Sequence, residues 1–170
     1  MTTSRGTIVI TGASSGLGAE MARQFADLGY DLGLAARRTE RLEQLRAEIL
    51  AAHPDRTVVL EPMDVTDADQ VFAATRRFAE QLGRIDRYVV NAGLGKGAPM
   101  GTGRFDANRQ TVMTNVVGAL AQTEAAMEVF REQQRGHLVV HRAAGDEVAE
   151  TDSQAARHTQ AQVCAMVDER

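Results

Sequence analysis

Short apolar runs alternate with amphipathic stretches along most of the chain, and this alternation limits the folds open to it. "TIVIT" at 7–11 is short and β-branched, whereas "AEMARQFADLG" at 19–29 spaces Met21, Phe25 and Leu28 at helical intervals. "YDLGLAA" at 30–36 is a second short run. In "TERLEQLRAEILAAH", Leu42, Leu45, Ile49 and Leu50 form one apolar stripe behind Thr39 as N-cap. "TVVLEPMDV" supplies a third strand with its exit loop. "DADQVFAATRRFAEQLG" is then a helix with Val71, Phe72, Thr75 and Phe78 at helical spacing, closed by Gly83. "DRYVVNAG" is a fourth strand. One long helix is predicted from Asp106 to Gln134, carrying Val112, Met113, Val116, Leu120, Met127 and Phe130, and a fifth strand, "HLVV", follows at 137–140. Strands that are apolar throughout are buried on both faces, and parallel strands need a helix to carry the chain back between them. The pattern predicts an α/β fold with a doubly wound parallel sheet covered by helices on both sides.

The loop after the first strand, "TGASSGLG", runs from Thr11 to Gly18 with Ser14, Ser15 and Leu17 between its glycines. Gly12, Gly16 and Gly18 allow a tight turn and close approach of a pyrophosphate. A helix starting near Gly16 aims its unsatisfied N–H groups and positive dipole end at that anion. A dinucleotide is the expected ligand and the fold is then Rossmann-type. An ordinary glycine-rich turn is the alternative that three glycines alone leave open.

The remaining composition narrows the partners. A chain of 170 residues is long enough for one core, and at this size about 70% of the unfolded surface is buried. Acidic residues outnumber basic ones, 23 to 19, the net charge is -4, and no Lys/Arg cluster forms a stripe, so neither nucleic acid nor membrane is an expected partner. Cys164 is the one cysteine, and "MTTSRGTIVITG" has too short an apolar run for a signal peptide or span, which makes a reducing, cytoplasmic setting the expectation. The histidines, at 53, 137, 141 and 158, show no metal-ligand spacing, and no metal site is expected.

The Gly-x-x-x-Gly-x-Gly spacing of Gly12, Gly16 and Gly18, the Asp64-Val65 pair after the third strand and Asn91-Ala92-Gly93 after the fourth occur in one order. Residues 5–140 thereby resemble the short-chain dehydrogenase/reductase (SDR) family. The resemblance implies that Asp64 and Val65 contact the adenine and that Asn91, Ala92 and Gly93 pack along the cofactor. It implies hydride transfer between a nicotinamide and a small-molecule carbonyl or alcohol substrate, and a homo-oligomer as the usual assembly. At the end of the second strand, "LAARRTE", no acid is placed to bind a ribose 2′-OH. Arg37 and Arg38 offer donors suited to a 2′-phosphate, so NADP(H) is expected over NAD(H). For Arg38 the alternative is a solvated charge flanking the helix.

The resemblance also implies a catalytic tetrad of Asn, Ser, Tyr and Lys, in which the Lys lowers the pKa of a proton-exchanging Tyr. Asn115, in "TNVVG", matches the first. Where a pair of serines is expected after the fifth strand stand His141, Arg142 and Ala143. The tyrosines are Tyr30 and Tyr88, with Leu34 and Ala92 four residues on, and the only lysine is Lys96, in "GLGKGAP". His141 would emerge at the ligand side of the sheet and could serve as acid or base, though no partner to tune it is evident.

From His141 to Arg170 there is no Leu, Ile, Phe, Tyr, Trp or Lys. The expectation is a cofactor-binding domain at 1–140, truncated after the fifth strand, and an atypical polar tail at 141–170, weakly helical from about Ser153 or disordered. A frameshift near Val140, a natural truncation and degeneration each account for it. The fifth strand would then be an exposed edge. Three readings stand: an NADP(H)-dependent oxidoreductase by family, inactive as written; a noncatalytic nucleotide- or partner-binding remnant; and an unstable truncated product.

Overall fold

Five parallel strands form one sheet in the order β3-β2-β1-β4-β5 in the computed structural model, which describes residues 4–141. The strands are β1 (Thr7–Thr11), β2 (Asp31–Ala36), β3 (Val58–Pro62), β4 (Arg87–Val90) and β5 (His137–Val140). The expectations for the tail, Cys164 and the positions of Arg142 and Ala143 lie outside the described residues. Ile10 stands opposite Leu34 on one side and Val89 on the other, and Val90 pairs with Val140 at the ligand end of the sheet.

The central strands β1, β2 and β4 bury both faces, as their unbroken apolar sequences require. Ile8 and Ile10 point into a core with Met21 and Phe25 of α1 (Gly16–Asp27) and Leu42 and Ile49 of α2 (Thr39–Ala52). Val9, between them, points to the opposite core with Val71 and Phe78 of α3 (Ala68–Leu82), Tyr88, and Phe130 of α5 (Ala119–Gln133). Ile8, Val9 and Ile10 are fully buried, each stabilising the fold by about 1.5–3 kcal/mol relative to exposure. Gly33 in β2 is where Phe78 presses on the sheet: a Cβ there would stand 2.7 Å from Phe78 Cδ1.

Two local expectations are corrected. Thr39 is the first residue of α2 and not its N-cap. Arg38 takes that place without a capping side-chain bond, since a guanidinium has no acceptor to offer a helix N–H, and it turns back to Ser14 and Ser15 instead. The predicted long helix is broken into α4 (Phe105–Val112), a π-helical turn at Met113–Gly118, and α5. Along this broken segment Val112, Val116 and Leu120 are 52%, 61% and 60% exposed, whereas Gln122, Ala125, Ala126, Val129 and Phe130 face the core. As expected of an edge, β5 is half-buried at the end of the described sheet, and Val140 is exposed.

The connections through α1 and α2 build the sheet outward from β1 in one direction, and α3 returns the chain to β4 on the other side of β1. The carboxyl ends of β1 and β4 therefore diverge, and a crevice opens between them, as doubly wound sheets dictate.

Candidate functional site: the cleft at the strand switch point

That crevice is a cleft of about 330 Å³. Gly12, Ser14, Ser15, Leu17 and Gly18 of the first loop line it, as do Arg37 and Arg38 after β2, Asp64 and Val65 after β3, and Asn91, Ala92 and Gly93 after β4. Twelve of the fourteen cofactor and catalytic residues expected from the sequence thus meet at one cavity. Gly16 faces a neighbouring hollow beside Ser14 and Ser15, and Asn115 lines a smaller one of about 100 Å³ with Asn91, Ala92, Gly93 and His141.

The floor is fixed by side chains bonded to main chain. Thr11 Oγ1, fully buried at the end of β1, donates to Val89 O (3.3 Å) and accepts from Asn91 N (3.0 Å) and Ala92 N (3.1 Å). Asn91 Nδ2 donates to Thr11 O at 2.9 Å. Gly12 has φ +67, and a Cβ on it would come 2.8 Å from Ala92 Cα; a Cβ on Gly18 would meet Gly12 O at 2.6 Å. Glycine is needed here for backbone conformation and for close packing of loop on strand.

The loop's anion-binding end is open. The N-cap of α1, Ser15, makes no side-chain capping bond, and no acid lies in the first turn; in α3, by contrast, Asp67 caps Gln70 N. A Cβ on Gly16 would touch nothing within 4 Å. An uncapped, positive helix end beside free space fits a pyrophosphate. Arg38 is exposed and donates to Ser14 Oγ at 3.0 Å and to Ser15 Oγ at 2.7 Å, reaching back over the loop. Arg37 is 72% exposed and 3.9 Å from Asp64 Oδ2, a contact of little strength in water. Burial alone pushes the Asp64 carboxyl up. Hydrogen bonds from Thr66 N and Oγ1, with the Arg37 charge, outweigh it and hold the group below its ordinary value.

Asn115 sits in the π turn and grips one residue twice: its Oδ1 accepts from Leu94 N at 2.7 Å and its Nδ2 donates to Leu94 O at 3.0 Å. Leu94, Gly95 and Thr114 also line the cleft. Thr11 and Leu94 were not among the site residues read from the sequence. Thr11 was legible only as the start of the loop, and Leu94 had no signal, because its backbone is what Asn115 holds.

No phenol faces the cleft among the described residues. Tyr88 is fully buried with its hydroxyl 3.2 Å from Thr75 Oγ1, and burial pushes its pKa up to about 12. Tyr30 packs edge-on against Phe25, with ring centroids 5.6 Å apart, under Arg87. Lys96 is exposed on the loop after Gly95. His141 N donates to Val90 O at 2.9 Å, and the residue borders both the cleft and the hollow at Asn115. No three His, Cys, Asp or Glu side chains come together as a metal site, and no helix is long and apolar enough to cross a membrane, among the described residues.

A glycine loop on an open helix end, at the switch point of a parallel sheet, defines a Rossmann-type fold. A family model described as short chain dehydrogenase matches residues 6–150, ten residues beyond the boundary drawn from the motifs, and the chain belongs to that family of oxidoreductases. Its members bind nicotinamide cofactors. An uncharacterized oxidoreductase of Mycobacterium tuberculosis is 49% identical over 133 residues, which are 78% of this chain and 53% of that protein. The chain therefore spans about half the length of this curated relative. A metagenomic short-chain oxidoreductase solved in complex with NADP superposes with a TM-score of 0.75 at 26% identity, covering 96% of this chain and 73% of the other. The NAD+-bound xylitol dehydrogenase shares the fold, with a TM-score of 0.78 at 21% identity over 96% of this chain and 62% of the other.

Proposed function

We propose that these residues form the NADP(H)-binding half of a short-chain dehydrogenase/reductase, with the dinucleotide in the switch-point cleft. The pyrophosphate lies at the N-terminus of α1, between Ser14, Ser15 and Gly16. Asp64 and Val65 hold the adenine, and Asn91, Ala92 and Gly93 line its path toward the nicotinamide. When bound, the nicotinamide supplies a hydride for exchange with a small carbonyl or alcohol substrate. The chain's own part is to bind the nucleotide, exclude water from the loop and fix the wall at Leu94 through Asn115. The observation that carries the cofactor preference is the pair Arg37 and Arg38 at the carboxyl end of β2, both on the cleft and both weakly engaged. Each can turn to a 2′-phosphate at the cost of an exposed contact.

Each charge-assisted bond to a phosphate is worth about 1.5–3 kcal/mol, so loss of one arginine is expected to weaken NADPH about 10- to 100-fold. NADH should change little. Titration of the full chain by nucleotide fluorescence tests this. Equal affinity for NADPH and NADH, or a preference untouched by Arg37→Ala and Arg38→Ala, refutes it.

The buried Tyr88, the packed Tyr30 and the exposed Lys96 favour a second reading, in which these 170 residues bind nucleotide without turning over substrate. NADPH binding with no oxidation against a panel of ketones supports that reading; measurable turnover removes it. The exposed Val112, Val116 and Leu120 would serve the homo-oligomeric contact usual in the family. Sedimentation of the full chain as a monomer would count against that contact.

A further inference from the structure

The π turn at Met113–Gly118 touches both walls of the cleft. Asn115 projects from it to grip the main chain of Leu94 at both N and O. Three residues on, Gly118 lies so close to the exit of β3 that a Cβ on it would stand 2.8 Å from Val65 O and 3.1 Å from Val65 Cγ2. A π turn is intrinsically disfavoured against a continuous α-helix, and single π turns persist where something holds them. One side chain is placed to do so. Gln122, 0% exposed in α5, donates its Nε2 to Gly118 O at 2.9 Å, while its Oε1 has no hydrogen-bond partner among the described residues. A buried amide with one end unsatisfied is a poor choice for packing alone, since an apolar side chain of similar length would fill the space without that cost.

We propose that Gln122 is a positioning residue: by holding the Gly118 carbonyl it keeps the π turn in the register that aims Asn115 at Leu94 and seats Gly118 on Val65, setting both walls of the cleft. The final step, from wall geometry to ligand affinity, rests on the nucleotide reading above. Loss of the bond frees the segment to return to α-helical register, and one residue of slip turns Asn115 by about 100° about the helix axis.

The test uses the full chain with Gln122→Met, followed by amide hydrogen exchange, thermal melting and NADPH titration. We expect protection of the Leu94 amide to fall about tenfold and the NADPH Kd to rise by a similar factor. The Val9 and Val89 amides should keep their protection, and the melting midpoint should change little. Unchanged Leu94 protection overturns the proposal, as does a uniform loss of protection across the sheet, which a merely structural role would give. If the unaltered chain binds no NADPH, the nucleotide reading fails, while selective loss at Leu94 still supports the positioning role. Should the variant not fold, the side-chain amide of Gln122 in the unaltered chain decides: slow exchange with water supports the bond, and exchange at the rate of a free amide overturns it.

Discussion

Thr11→Val removes one oxygen atom and very little volume, yet it should be among the more damaging changes in the first loop. The Thr11 hydroxyl is fully buried and joins the ends of β1 and β4 through three bonds, to Val89 O, Asn91 N and Ala92 N. Valine keeps the β-branched shape and the packing but leaves the two N–H groups without this acceptor. A buried donor left unsatisfied costs about 1–3 kcal/mol. The two together, allowing for partial relaxation, should cost about 2–4 kcal/mol of stability. For a domain of this size the melting midpoint should then fall by about 5–15 °C. Because Asn91 and Ala92 line the cleft, nucleotide affinity should fall with it.

Thr11→Ser separates this account from packing. Serine keeps the hydroxyl and deletes a buried methyl, which costs about 1 kcal/mol. Urea unfolding of the three proteins by circular dichroism should rank them as wild type, then Ser, then Val. A packing account gives the reverse order of the two variants. If Val proves at least as stable as Ser, the hydroxyl is not what ties the two strands together.

Tyr88 should make the fold sensitive to alkali. Its pKa is raised to about 12 by burial, so the unfolded chain loses the phenolic proton first, and this contribution to stability fades as pH climbs from about 10 to 12, at up to about 1.4 kcal/mol per pH unit. Tyr88→Phe should flatten that limb of a urea-midpoint profile. Asp64 acts at the other end: its carboxyl is held below its ordinary value, so its contribution is present above about pH 4 and is lost as pH falls through the lowered value. Asp64→Asn should reduce the acid dependence, and an unchanged profile would remove the Thr66 and Arg37 contacts as its source. Gly33→Ala forces a Cβ to within 2.7 Å of Phe78 Cδ1 and 3.0 Å of Val9 Cγ2 in a central strand, so we expect about 1–3 kcal/mol of overpacking cost; a midpoint equal to wild type would contradict that contact.

What could be read from the sequence was what depends on local pattern. The β-branched runs fixed the parallel sheet because Ile8, Val9 and Ile10 must all be buried, and the glycine spacing placed the cleft because a Cβ at Gly12 or Gly18 would collide with the main chain. The π turn was not legible. "TVMTNVVGALAQ" has good α-helical periodicity, and the turn exists because Asn115 and Gly118 answer to Leu94 and Val65, residues distant in sequence. Nor was the exposure of Val112, Val116 and Leu120 legible: periodicity reports which residues share a face, not which way that face points. The role of Arg38 was equally hidden, since its partners Ser14 and Ser15 come from a different loop.

The cleft is built from two kinds of polar group, and they should respond differently to salt. Thr11, Asn91 and Asn115 carry no charge and bond to main chain, so the shape of the cradle is insensitive to ionic strength. Arg37 and Arg38 are exposed and engaged only by a long ion pair and two serine hydroxyls. Charges in water are screened over about 10 Å at 0.1 M salt and about 3 Å at 1 M. A 2′-phosphate held by these arginines is thus the part of the nucleotide most weakened by salt. NADPH and NADH share every other group. Raising the salt from about 0.05 to 1 M should therefore shrink the ratio of their affinities toward one, chiefly by weakening NADPH. Arg37→Ala/Arg38→Ala should show a ratio near one at every salt concentration. If NADPH and NADH weaken in parallel, the preference does not come from the arginine charges, and selection of the phosphate must lie in the shape of the cleft.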